Sequence, residues 1–183
     1  MPKIVAEKSD WVQLGFQLFA EHGAAGLVVD TLASKLKCNR SSFYWHFKSK
    51  QAFVHAIIDY WVESDTNQII ALAEKADSAH GKFVALVEIA FKVDPYIDFV
   101  FHLKRYAKGD LHIRDVIDAI DRERMHYVAS LLKQMGFPEA DAHAKAALFY
   151  KYLIGYHEML RYKHQPPNYA AQVLAELRQF IDL

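Results

Sequence analysis

The chain has 183 residues, with 22 Lys+Arg against 22 Asp+Glu, ten His and a single Cys. Its length gives one domain or two small ones, and 52% hydrophobic content with only seven Gly and five Pro excludes a disordered chain. One Cys excludes an intrachain disulfide framework and any multi-cysteine metal centre, which fits a reducing, cytoplasmic setting. No run of about 18 uncharged apolar residues is present to span a bilayer, and Met1 to Asp10 is too polar for a signal peptide. A net charge of zero, taken alone, points away from a nucleic-acid partner.

The spacing of apolar residues predicts helices throughout, an all-α chain. Ser9 or Asp10 can cap a first helix running to about His22, with Trp11, Leu14, Leu18, Val12, Phe16 and Phe19 at helical spacing; Gly23 and Gly26 end it. A second helix covers about Asp30 to Lys37 and a short third about Arg40 to Phe47. A fourth runs from near Ser49 to about Lys75, with Phe53, Ile57, Tyr60, Trp61 and Ser64 on one face. His80 to Val93 follows, apolar nearly all round and therefore expected at the centre of a core, and Asp94-Pro95 stops it. Then come Tyr96 to Lys108, a long helix from Asp110 to Met135, a Gly136-Phe137-Pro138 turn, Glu139 to Tyr162, the Gln165-Pro166-Pro167-Asn168 break, and Tyr169 to Ile181. Period-two alternation is absent, so no sheet is expected.

Charge along the chain is uneven. Residues 31–58 hold Lys35, Lys37, Arg40, Lys48 and Lys50 and no carboxylate, while the remainder carries 17 cations against 22 anions, a net −5. The basic stretch coincides with the two short helices, joined through Cys38-Asn39. That is a helix-turn-helix pattern, whose second helix can lie in a DNA major groove. Arg40, Ser41, Ser42, Tyr44, Trp45 and His46 are expected on its exposed side, with Leu36, Phe43 and Phe47 inward.

Residues 32–53, and above all the run Phe43-Tyr44-Trp45-His46-Phe47-Lys48, resemble the TetR family of bacterial transcriptional regulators. The apolar-Ala pair Leu32-Ala33, the tight turn and Lys48-Ser49-Lys50 fit the family pattern, as does the first helix with its His22-Gly23 stop. The strong match covers about residues 9–60; beyond it, only size and helical layout agree. The resemblance implies an N-terminal helix-turn-helix DNA-binding domain, 1–55, with a connecting helix at about 49–75, and an effector-binding and dimerisation domain, 56–183. It assigns DNA contact to Thr31, Arg40, Ser41, Ser42, Tyr44, Trp45, His46 and Lys50. Arg40, Ser41 and Ser42 would meet base edges, Arg40 by bridging guanine O6 and N7. Tyr44, Trp45, His46 and Lys50 would hold the backbone, Lys50 with help from a helix N-terminus.

Two positions depart from the pattern. Lys37 stands where the family commonly has Gly, which predicts an altered turn or a left-handed Lys37. Leu27-Val28-Val29 precedes the second helix where Ser or Thr is common, leaving Asp30 as the candidate cap. A carboxylate at Asp30 also repels phosphate unless it accepts from cytosine N4.

For the rest of the chain, His102, Tyr106, His126, Tyr127, Tyr150 and His157 have aromatic bodies and polar tips suited to a small, partly apolar effector. Tyr152 and Tyr156 share that chemistry. The resemblance implies a homodimer formed through the last two helices, with Ala140, Ala142, Ala144, Ala146, Ala147 and Gly155 allowing close approach. Tyr152, Tyr156, Leu160, Val173, Leu177 and Phe180 would supply apolar area. It further implies a palindromic operator and release of a repressor by the effector, with the fourth helix as lever. An activator of the same fold, or a helical small-molecule binder or enzyme without DNA binding, remains open. Enzymatic motifs are weak. Cys38 lies in the turn, and His157-Glu158 lacks the second His of a zinc-protease helix. Asp115, Asp118, Asp121 and Glu123 alternate with Arg114, Arg122 and Arg124 as on a solvated face. No cofactor, metal or membrane partner is expected.

Overall fold

A computed structural model describes residues 6–64, 66–93, 98–161 and 163–181. The described residues are helical, with no strand among them. The chain divides into two compact units that interleave in sequence, Met1–Ser64 with Tyr96–Val116, and Asp65–Pro95 with Ile117–Leu183.

The first unit contains α1 (Lys8–His22), a 3-10 turn (Gly23–Gly26), α2 (Val29–Lys35), α3 (Arg40–His46) and α4 (Lys50–Ser64). The second begins with α5 (Thr66–Ala73) and α6 (Ala79–Ala90). α7 (Phe99–Tyr106) and the 3-10 turn Ala107–Gly109 return to the first unit. α8 (Leu111–Gln134) has its first six residues there and the remainder in the second. α9 (Glu139–Leu160) and α10 (Tyr169–Ile181) complete the second.

Several helix starts differ from expectation. Glu7, rather than Ser9 or Asp10, is the cap of α1; the Asp10 carboxylate reaches back to accept from the Glu7 amide at 2.8 Å. Asp30 does not cap α2. Val28 occupies that position in extended conformation with no side-chain acceptor, and Asp30 sits inside the first turn. The expected fourth helix is described as α4 and α5, either side of residue 65, which lies outside the described residues, as do Asp94-Pro95, Tyr96 and Tyr162.

Aromatic packing sets the first unit. Trp11, Phe19, Phe43, Phe53 and Phe99 are fully buried. The Phe43 ring meets Trp11 of α1 at 5.4 Å, Phe53 of α4 at 5.1 Å and Phe47 at 5.3 Å, so one side chain seats α3 against both neighbours. α1 and α4 approach closely at Gly15: a Cβ there would lie 2.5 Å from the Phe53 ring and 2.7 Å from Ile57.

The second unit packs around Phe149, whose ring lies 5.4 Å from Phe83 and 5.6 Å from Phe91. As expected for a central helix, α6 buries Phe83, Leu86 and Val87. Its C-terminal end is closed by the side chain of Gln165, which donates to the Phe91 carbonyl at 2.6 Å and accepts from the Val93 amide at 3.1 Å. Ala142, Ala146, Val173 and Leu177, expected at a dimer surface, are instead buried in this unit's own core. The helical period turns them toward α6 and α8, while Ala144, Leu148, Lys151, Gly155 and Met159 fall on the open side of α9.

Candidate nucleic-acid interface

The turn from α2 to α3 follows from its hydrogen bonds. The Cys38 amide donates to Ala33 O at 3.0 Å and the Lys37 amide to Ser34 O at 3.1 Å, the paired bonds of a Schellman helix end. That motif needs a left-handed residue after the cap, and Lys37 supplies it with φ 52°. Asn39, extended at φ −87° and ψ 148°, then starts α3. Burial pushes the Cys38 thiol above its ordinary value, opposite to the shift a nucleophile needs.

On α3 the helical period places Arg40, Ser41, Tyr44 and Trp45 on one exposed face, opposite buried Phe43 and Phe47. Trp45 is 79% exposed and Tyr44 49%, far outside the usual burial of such rings. Ser42 and His46 differ from the expected exposure. They sit four residues apart on the flank between the two faces and are half-buried. Ser42 Oγ is buried with no protein partner among the described residues, and His46 Nε2 donates to the Ala6 carbonyl at 2.9 Å. Thr31 is exposed on α2. Lys50 is exposed at the start of α4, where Ser49 Oγ accepts from the Ala52 amide at 3.0 Å.

Arg40 is the most constrained of this set. Its Nη2 donates to the Tyr44 hydroxyl at 3.2 Å, and its Nη1 lies 3.5 Å from Asp30 Oδ2. The Tyr44 hydrogen bond, and next the Asp30 charge, hold the guanidinium above its ordinary value. The Arg40–Tyr44 contact is an i, i+4 neighbour pair that the sequence makes visible. The Asp30–Arg40 pair is not, because it depends on how the turn folds α3 back on α2.

The expected effector residues are distributed over both units. His102 and Tyr106 belong to the first unit, where both rings stand 6.3 Å from Phe19. Tyr106, with Gln51, Gly109 and Asp110, lines an open cleft of about 380 Å³. His126, Tyr127, Tyr150 and His157 belong to the second unit. There the Tyr127 hydroxyl donates to Glu74 at 2.8 Å, the Tyr150 hydroxyl to Asp121 at 2.6 Å, and His157 Nε2 to the Ala90 carbonyl at 2.8 Å. Burial and the carboxylate partners push both tyrosines well above their ordinary value. Asp110 was missed in the sequence. It accepts from Gln51 at 3.0 Å and His55 at 3.2 Å, binding α4 to the start of α8. A carboxylate one residue before a long helix was the available signal.

Residues 12–57 match the family model of bacterial regulatory proteins, tetR family. A stretch of 92 residues, half of this chain, is 25% identical to the uncharacterized HTH-type transcriptional regulator YerO of Bacillus subtilis. The chain spans about a third of that relative's length, 32%. A crystal structure from Saccharomonospora viridis, described as that of a transcriptional regulator in complex with choline, superimposes with a TM-score of 0.80 at 16% identity. That likeness covers 96% of this chain and 95% of the other. A transcriptional regulator from Rhodococcus sp. Rha1 gives 0.76 at 16% identity over 97% of both chains. No helix among the described residues is long and apolar enough to cross a membrane. On its matched segment, read with the helix-turn-helix and the all-helical fold, the chain carries the N-terminal domain of the tetR family of bacterial regulatory proteins.

Proposed function

We propose that the chain is a sequence-specific DNA-binding transcriptional regulator, acting as a cytoplasmic homodimer that represses from a palindromic operator until a small molecule releases it. The observation that carries this reading is the face of α3. Arg40, Ser41, Tyr44 and Trp45 are presented together by a buried Phe43, in a segment with five cations and no carboxylate. Arg40 is suited to a guanine edge, and Thr31, Tyr44, Trp45 and Lys50 to the sugar-phosphate backbone. Ser42 and His46 fit a supporting role, since their polar atoms turn inward or are engaged.

Two copies are needed because one helix-turn-helix makes too few contacts for tight binding. The open side of α9, with Leu148 48% and Met159 64% exposed around Gly155, supports that helix as the dimer surface. Choline in the Saccharomonospora viridis structure supports a small-molecule effector. By linkage, an effector that favours a conformation unsuited to the operator weakens DNA binding by the same factor that DNA weakens effector binding. A mobility shift on operator DNA tests the reading. Arg40→Ala should cost about 1–3 kcal/mol at one base position. If Arg40→Ala and Tyr44→Ala both leave operator affinity unchanged, α3 is not the reading helix. A promoter–reporter pair decides repression against activation.

A further inference from the structure

Asp30 stands at the edge of the stretch 31–58, which contains no carboxylate of its own. On charge alone it opposes any contact with phosphate. Its partner explains its presence. Asp30 Oδ2 lies 3.5 Å from Arg40 Nη1, Arg40 Nη2 donates to the Tyr44 hydroxyl at 3.2 Å, and the guanidinium carbon stands 5.7 Å from the centre of the Tyr44 ring. A guanidinium is planar and has five N–H donors. A carboxylate beside one terminal nitrogen and a hydroxyl at the other favour one setting of its plane, and enough donors remain for the two acceptors of a guanine edge. An arginine without such partners, on the first turn of an exposed helix, can swing between a base and a phosphate.

We propose that Asp30 is a specificity-determining positioning residue, acting through Arg40: it orients the guanidinium toward a guanine edge and disfavours its use as a phosphate contact. The proposal rests on the regulator reading above. Asp30 then works twice. It raises the preference for the correct base, and its negative charge lowers affinity for DNA of any other sequence. An exposed pair of this kind contributes little to the fold, so removing the charge leaves the reading head folded.

The test begins by enriching duplexes from a randomised pool with the full-length chain, then measuring affinity for the enriched site and for single base-pair variants of it. Asp30→Asn should cut discrimination at one guanine by about tenfold, as expected for a loosened bidentate contact. It should also raise affinity for unrelated duplex and steepen the salt slope by about one. Tyr44→Phe, which removes the other anchor, should reduce discrimination at the same guanine, and Asp30→Glu should restore it. Replacing that guanine by 7-deazaguanine should penalise the wild type more than Asp30→Asn. In an Arg40→Ala background, Asp30→Asn should change discrimination by less than about twofold, because the two substitutions share one interaction. Undiminished discrimination in Asp30→Asn, or an equal loss with and without Arg40, overturns the positioning role while leaving the regulator reading intact. A wild-type chain that enriches no sequence overturns both.

Discussion

Lys37 shows how a single backbone angle can be read from the neighbouring residues. The Schellman bonds at Ala33 and Ser34 demand a left-handed residue, and at φ 52° a lysine meets that demand against the steric preference of its Cβ. Lys37→Gly should therefore raise the stability of the chain by about 1 kcal/mol, seen as a higher urea midpoint with an unchanged slope. The left-handed Lys37 was foreseeable, since glycine is the usual occupant of such a turn. The inward placement of Ser42 and His46 was less so. On a seven-residue helix the boundary between faces falls within one residue, and a shift of about 100° decides whether a hydroxyl meets solvent or core. Tyr150 lies at the other extreme of burial. Its hydroxyl donates to Asp121 inside the second unit, and Tyr150→Phe should cost about 1 kcal/mol, measured by thermal or urea unfolding.

At the level of helices, position in the first unit is set by a few contacts. Phe43 joins α3 to Trp11 and Phe53, so Phe43→Ala should remove about 3–5 kcal/mol and abolish DNA binding together with the unit's cooperative unfolding. The order of helices was legible because apolar spacing of three and four recurs along nearly the whole chain, and the last helix, Tyr169–Ile181, has the expected bounds. Which helices pack together was not. Ala142, Ala146, Val173 and Leu177 have the composition of either a dimer seam or a monomer core, and only the path of the chain distinguishes them. The bridge from α4 to α8 was equally hidden, being 59 residues long in sequence between Gln51 and Asp110. It also carries a pH dependence. The Gln51 hydrogen bond, with those of His55 and the Ile113 amide, holds the Asp110 carboxyl below its ordinary value. A depressed folded value means stability that is present above the ordinary carboxylate range, about 3.9, and lost as pH falls through the folded one. Asp110→Asn should lower the urea midpoint at pH 7, and the gap to wild type should narrow in acid.

Across the whole molecule, the zero net charge is a balance between the basic stretch 31–58 and a remainder at −5. In the proposed regulator, such a division would concentrate attraction to DNA on one segment and limit adhesion of the rest. Lys50→Ala should weaken all duplexes alike and flatten the salt slope by about one, in contrast to the base-selective loss expected at Arg40. The proposed dimer surface on α9 can be tested separately. Leu148→Glu should give a monomer by light scattering and reduce operator affinity, while the helical content of the chain stays unchanged.

The distribution of tryptophan gives the molecule an internal optical division. Trp11 and Trp61 are buried and Trp45 stands on the exposed face of α3, and all three lie between Met1 and Ser64. Tryptophan emission therefore arises from the first unit, whereas far-ultraviolet circular dichroism sums the helices of both. If the units unfold independently, the two signals will trace different transitions in urea, and a bound effector will separate them further. Trp45 is also the indole most accessible to a collisional quencher, so its shielding on addition of duplex would report occupancy of the reading helix without any label.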